Sequence, residues 1–372
     1  DRDPPPAPDL GKITVSDPSN GKVRVSGTAG SVEAGGRVVV TNMATGAQAT
    51  GIANADGSFS VEIVAGEGQS LSLVVTDAAG NASPARTAQV GVAVRISITE
   101  PAEGTRTQHQ RTLVRGTVHG PLNTGVIVNG VVAAVHDGEF VADDIPLSPV
   151  IGTNDYTITA TATTLGGQTV GTSVTVQSWG NPEVLEVDAS VTSGVAPLDV
   201  AFSYTFGSTI PLQTLRLDAD GNGTFEVTTT DPTAPLHYTY STPAIYIARL
   251  QATDQQGGTF TAQVPVVVQD VTTMDTMFKS MWSNMNTALV AGDTTAALTF
   301  LDSAAQQKYG PVWQVLLPHM AEIVASYSPV RGVGIGQNVA EYGVNRTIDG
   351  ENRLFLIYFL KDKDGVWRLA AM

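Results

Sequence analysis

Through most of the first 270 residues apolar and polar positions alternate with a period of two, as in Leu71, Leu73 and Val75 or Tyr156, Ile158 and Ala160. That period puts alternate side chains on one face of an extended chain, so it predicts half-buried β-strands. Three such runs end in a short polar tip and restart: Thr76-Asp77-Ala78-Ala79-Gly80-Asn81, Thr163-Thr164-Leu165-Gly166-Gly167, and Thr253-Asp254-Gln255-Gln256-Gly257-Gly258. The third run, Ile245 and Ile247 and then Leu250, slips by one position, and Val264, Val266 and Val268 follow its tip. Each tip predicts a closing hairpin, and the first threonines of the three tips stand 87 and 90 residues apart.

After Val271 the period changes from 2 to 3.6. Met274, Met277, Phe278, Met281, Met285, Ala288 and Leu289 fall on one helical stripe, and Gly292-Asp293 ends that helix and caps a second, continued by Ala297, Leu298, Leu301 and Ala304. Val312, Val315, Leu316, Ile323 and Val324 predict a third helix interrupted by Pro318. Strands are then predicted over 339–345, 354–360 and 366–371, the last two joined through Asp364-Gly365.

A repeat of this length suits one immunoglobulin-like sandwich, and 372 residues exceed what one ordinary core organises. The expected fold is therefore multidomain: a Pro-rich spacer over 1–10, all-β immunoglobulin-like sandwiches in tandem over 11–94, 95–178 and 179–270, and an α+β domain over 271–372, helices first and then a curved antiparallel sheet. In the first sandwich, Arg37-Val38-Val39-Val40-Thr41-Asn42, Thr45-Gly46 and Asn54-Ala55-Asp56-Gly57-Ser58-Phe59 resemble bacterial immunoglobulin-like and carboxypeptidase-regulatory-like modules, which implies a tight turn at Asp56-Gly57 and a core position for Phe59. The second, with Ile98-Thr99-Glu100-Pro101, Val126-Ile127-Val128-Asn129-Gly130, Phe140 and Gly152-Thr153-Asn154-Asp155-Tyr156, resembles other bacterial Ig-like repeats; Thr164 stands where the other tips carry aspartate. In the third, Gly194-Val195-Ala196-Pro197-Leu198, Asp218-Ala219-Asp220-Gly221-Asn222-Gly223, His237-Tyr238-Thr239-Tyr240 and Ala252-Thr253-Asp254 resemble a polycystic-kidney-disease-type (PKD) domain. The order of elements after Val271, closing on Gly365-Val366-Trp367-Arg368-Leu369, resembles the cone-shaped fold of nuclear transport factor two-like, SnoaL-like proteins. That resemblance implies a scaffold used for small-molecule pockets, enzymes and dimerisation alike.

One loop carries candidate chemistry. Asp218, Asp220 and Asn222 stand at positions one, three and five of a calcium-loop pattern, Gly223 at the sharp turn, Thr224 at seven with its carbonyl and Glu226 at nine; Thr229 replaces the usual glutamate at twelve. The same residues also read as an Asx-rich hairpin turn without metal. In the C-terminal domain Trp282, Tyr309, Trp313 and Tyr358 are candidate pocket-mouth residues, with aromatic core as the alternative. His319 with Glu322 three residues on reads either as an acid–base pair or as a helix-surface contact. Trp179, in the linker Ser178-Trp179-Gly180-Asn181-Pro182, is expected as a plug between sandwiches, with exposed carbohydrate stacking as the alternative.

Composition narrows the partners. There is no cysteine, so disulfides and thiolate metal sites are excluded. The net charge of −15 is concentrated in residues 1–270, which hold 26 acidic and 12 basic residues, against 9 and 8 in the remainder. Such a surface repels phosphate backbones, so nucleic acid is not expected as a partner. No apolar run is long enough to cross a membrane. The extended Pro-rich opening suits a spacer following a removed export signal or, equally, the cut end of a longer chain. The expectation is an exported extracellular or cell-surface bacterial protein without catalysis, a semi-rigid β stalk holding a terminal domain for docking, dimerisation or ligand binding, with protein or carbohydrate as partner and calcium as the one candidate ion. Two alternatives stand beside it: a small-molecule-binding or enzymatic C-terminal domain on a β anchor, and an accessory carbohydrate-binding component of an extracellular system.

Overall fold

The alternating runs form strands because β-branched and small residues dominate them and one face of each is apolar: Phe59–Val64 buries Phe59, Val61 and Ile63 and exposes the residues between. In the computed structural model, which describes residues 2–147, 154–181, 183–348 and 350–372, the chain is mostly β and divides into two units, Asp1–Ala93 and Val94–Met372. Gly152, Thr153 and Pro182 of the motifs above lie outside the described residues.

The first unit is a two-sheet sandwich. A three-stranded sheet (Ile13–Val15, Lys22–Gly27, Phe59–Val64) faces a four-stranded one ordered Gln48–Ile52, Arg37–Asn42, Ser70–Thr76, Arg86–Gln89. Val23, Val25, Val38, Val40, Leu71 and Leu73 fill the space between. Phe59 is in that core, as its place after the Asp56-Gly57 turn implies.

The second unit holds two further sandwiches and the helical domain. Its first sandwich pairs a four-stranded sheet (Ala134–His136, Glu139–Pro146, Arg111–His119, Arg95–Glu100) with a five-stranded one running Val131–Val132, Gly125–Val128, Asp155–Thr163, Thr169–Asn181, Arg106–His109. The other pairs Leu185–Ala189, Leu198–Phe206 and Leu236–Tyr240 with Ser193–Val195, Thr259–Gln269, Ala244–Asp254, Leu212–Asp218 and Val227–Thr229. Each has its own core.

The polar tips are built one way. Asp77 Oδ1 accepts from the Ala79 and Asn81 amides at 2.8 and 2.9 Å, and Asp254 Oδ1 accepts from Gln256 and Gly258 at 2.9 and 2.8 Å. In the second sandwich the Thr164 hydroxyl oxygen accepts from the Gln168 amide at 3.1 Å, so threonine there takes over part of the aspartate's turn-forming role. A fourth copy closes the C-terminal hairpin, where Asp362 Oδ1 accepts from Asp364 and Val366 at 2.9 and 3.0 Å. Asp254→Ala is expected to cost about 1–3 kcal/mol by leaving two amides without their acceptor, while Asp254→Thr recovers part of that loss. Urea titrations of the two variants side by side check it.

The C-terminal domain starts directly from the Thr259–Gln269 strand. Asp270 caps α1 (Val271–Val290) through the Thr273 amide; α2 (Thr294–Leu298) and α3 (Ser303–Leu316) are capped by Asp293 and Asp302, and α4 is Met320–Ala325. They cover one face of an antiparallel sheet ordered Arg331–Ile335, Val339–Ile348, Glu351–Lys361, Trp367–Ala371. Two features depart from the periodicity. The expected continuation from Ala297 to Ala304 breaks at Leu301, which forms a bridge to Leu369 while the Asp302 amide donates to the Leu369 carbonyl. The edge strand Arg331–Ile335 has no alternating apolar pattern to announce it, because most of it faces solvent.

The picture of a stalk holding the terminal domain at a distance does not survive for the second unit. Leu113, Val141 and Val267, joined by Ala134, Ile245 and Ile247, form an apolar cluster between the two sandwiches. The helical domain folds back onto the sandwich that begins the unit, where Leu165 packs against its core. Trp179 is no plug: it lies on the Thr169–Asn181 strand and is 53% exposed.

Candidate functional site

The acidic loop follows the Leu212–Asp218 strand. Asp218 is only 2% exposed; its Oδ2 accepts from the Gly223 amide at 3.0 Å, while its Oδ1 is buried and meets no hydrogen-bond donor. Asp220 accepts from the Asn222 amide and side chain at 3.1 and 2.8 Å, and Asn222 Oδ1 accepts from the Thr224 amide at 2.7 Å. Thr224 thus closes the curl. Glu226 turns back into the loop, its Oε2 accepting from the Ala219 amide at 2.6 Å. Carboxylate oxygens of Asp218, Asp220 and Glu226 lie within 4.8 Å of one another. The Tyr240 hydroxyl donates to the Ala219 carbonyl at 2.7 Å and holds the loop from below. Gly221 has φ of +74°, and a Cβ there would stand 2.7 Å from the Ile247 carbonyl oxygen, so the tight turn requires glycine. Thr229, at position twelve, pairs with Leu215 inside the sheet, which leaves position nine to close the loop.

The four aromatic pocket candidates are spread through the C-terminal domain. Trp282 and Trp313 are buried in its core, Trp282 against Tyr327 and Trp313 stacked on Tyr309 at 6.3 Å between centroids. The Tyr309 hydroxyl donates to the Met372 carbonyl at 2.7 Å. Tyr358 sits on the Glu351–Lys361 strand and donates to Glu341 at 3.3 Å. Between sheet and helices the interior is filled by Phe278, Tyr342, Phe359 and Trp367, whose rings meet at 4.9–5.7 Å. His319 and Glu322 stand 4.0 Å apart, 68% and 87% exposed, as a helix-surface contact.

Periodicity gave no sign of the seam inside the second unit. Asn123 is buried there and makes two complementary hydrogen bonds to one residue of the C-terminal domain: its Nδ2 donates to the Trp367 carbonyl at 2.8 Å, and its Oδ1 accepts from the Trp367 amide at 2.9 Å. Beside it Gly125 lies against the Asp364-Gly365 backbone so closely that a Cβ would fall 2.3 Å from the Asp364 carbonyl oxygen. Arg368 donates to the Leu165 and Thr299 carbonyls at 3.2 and 2.8 Å and to Asp362 at 2.8 Å. Gln337 reaches Thr192 at 2.9 Å, and Gln269 donates to the Val135 carbonyl at 2.7 Å.

Two cavities open along this junction. One of about 450 Å³ is lined by Leu122, His136, Met274, Met277, Trp367 and Lys361; one of about 300 Å³ adjoins it at Lys361 and includes Asp143. Burial pushes the Lys361 amine down to about 8, and its Nζ sits 5.1 Å from the Trp367 ring centre. Burial pushes the Asp143 carboxyl up to about 6.

Residues 13–91 match the family model of the bacterial Ig domain. No curated protein matches the chain. Among solved structures, a four-repeat stretch from the extending region of a large adhesion protein is 19% identical over 69% of this chain and 73% of its own, with a TM-score of 0.25. Fibronectin type III-like modules of CbhA from Clostridium thermocellum are 20% identical over 23% of this chain and 97% of theirs, with a TM-score of 0.21. The D00-D0 domain of intimin is 13% identical over 47% of this chain and all of its own, with a TM-score of 0.18. The chain is thus an Ig-like, mostly β multidomain protein with a bacterial Ig domain near its N-terminus.

Proposed function

We propose that this is a surface-associated bacterial modular protein whose residues 94–372 act as a braced, non-catalytic head for contact with another macromolecule. The observation that carries the reading is the Asn123–Trp367 seam: a domain docked by reciprocal backbone hydrogen bonds and a glycine-to-backbone approach is held in a fixed position, as a presenting surface requires. The aromatic packing between sheet and helices supports a structural role over a reaction chamber. PKD-type and SnoaL-like modules remain the family reading of the third sandwich and the C-terminal domain, and the modular Ig-like build supports extracellular or cell-surface residence.

Self-association is part of this reading. Leu354, Leu356, Tyr358 and Leu360 stand at alternate positions of one strand, with Val339 opposite Leu360 in register, and most of this outward row is exposed. A row of that kind suits pairing with a second copy. An accessory carbohydrate-binding role is the second reading, favoured by the exposed Trp179 ring.

Protease shaving and antibody labelling of intact native cells test the proposal. Release and labelling without lysis are expected, whereas a chain found only in the cytosolic fraction would overturn it. Retention on a glycan array that disappears with Trp179→Ala would shift the reading to carbohydrate binding.

A further inference from the structure

We infer that the loop from Asp218 to Glu226 is a binding site for one calcium ion, held by the side chains of Asp218, Asp220, Asn222 and Glu226 with the Thr224 carbonyl. Two independent observations meet here. The first is convergence: three carboxylates from one short segment bring oxygens within 4.8 Å of one another. Calcium–oxygen bonds of about 2.3–2.6 Å place opposite ligands up to about 5 Å apart, so oxygens this close can share one ion, while the shorter bonds to magnesium, about 2.0–2.1 Å, require a tighter set. The second is the buried Asp218 Oδ1, which has no donor although the residue is 2% exposed. A carboxylate oxygen withdrawn from water without a partner is costly, and a cation supplies what the polypeptide leaves out.

Among the described residues, no lysine or arginine forms an ion pair with Asp218, Asp220 or Glu226. Arg216, on the strand leading into the loop, instead lies over the Phe225 ring at 3.8 Å. The negative charge of the cluster is therefore not neutralised from within. The ligand set is all oxygen, which suits a hard cation. Glu226, at position nine, contributes one carboxylate in place of the bidentate glutamate that tightens longer loops at position twelve, so the affinity belongs with extracellular modules, Kd on the order of 10⁻⁴ M. Because the loop joins the strands Leu212–Asp218 and Val227–Thr229 and is fastened to Tyr240, the ion would tie the end of the five-stranded sheet to the facing sheet.

The test is calorimetric titration of the full chain with calcium chloride, paired with thermal melting at 0 and about 5 mM calcium, a concentration well above the expected Kd. One saturable event per chain and a rise in the melting temperature of the second unit are expected. Asp218→Asn and, separately, Glu226→Gln should weaken binding by tenfold or more, the second variant retaining an acceptor for the Ala219 amide in case the first fails to fold. Asp77→Asn, in a tip of the first unit, should leave the titration unchanged. No heat and no thermal shift in the wild-type chain, equal affinity for magnesium chloride, or unaltered binding by folded Glu226→Gln would each overturn the assignment.

Discussion

Replacing Phe278 by alanine is expected to destabilise the C-terminal domain by about 3–5 kcal/mol, the range for removing a fully buried aromatic ring and leaving a cavity behind. The ring is entirely buried and touches Tyr342, Phe359 and Trp367 at 4.9–5.5 Å, so its removal unsettles helix, sheet and closing hairpin together. Phe278→Leu should cost less because much of the volume stays filled. Three of the four tryptophans, Trp282, Trp313 and Trp367, lie in this core, so fluorescence during urea titration reports its unfolding directly. Residues 1–93 form a separate unit and should melt as in the wild type. An unchanged fluorescence midpoint would show that the ring is not the keystone described here.

Gly125→Val should open the seam inside the second unit without unfolding either side. A Cβ at Gly125 would stand 2.3, 2.4 and 2.6 Å from the Asp364 carbonyl oxygen, the Gly365 carbonyl carbon and the Val366 nitrogen, all backbone atoms that have no rotamer to escape into. The nearest obstacles all belong to the C-terminal hairpin, and valine suits the strand that Gly125 begins. Overpacking of this kind costs about 1–3 kcal/mol and often more where nothing can move aside. Separation would also strand the buried Asn123 amide and the Trp367 backbone groups. Scattering should show a larger radius of gyration, and limited proteolysis should cut the Asp362-to-Trp367 turn that the seam protects. A variant with wild-type dimensions and protease resistance would remove the seam from the account.

The elements were largely legible in the chain, because period-two runs and a methionine stripe are local signals that burial then reinforces. The cap Asp293 and the Asp364-Gly365 turn are of this kind: each acts on neighbours within four residues. The turn of the acidic loop rests on the same kind of signal, Asp and Asn at alternate positions before Gly223. What pattern could not show was the Ala219 amide donating to Glu226, or the orphaned oxygen of Asp218, since both depend on how the loop curls. The docking of the C-terminal domain was invisible, because Asn123 and Trp367 are 244 residues apart and Asn123-Thr124-Gly125 reads as an ordinary turn. The aromatic candidates drew attention by type alone; the cavities lie instead at the junction, where Lys361 stands on a strand whose sequence signals only β structure.

The return of Trp367 to Asn123 has a mechanical consequence. Tension across residues 94–372 would act on the Gly125–Gly365 contact as well as on the strands, since the path of the chain doubles back there. Parting that clasp would lengthen the span between its two sides, so the contact shortens the reach of residues 94–372 for as long as it holds.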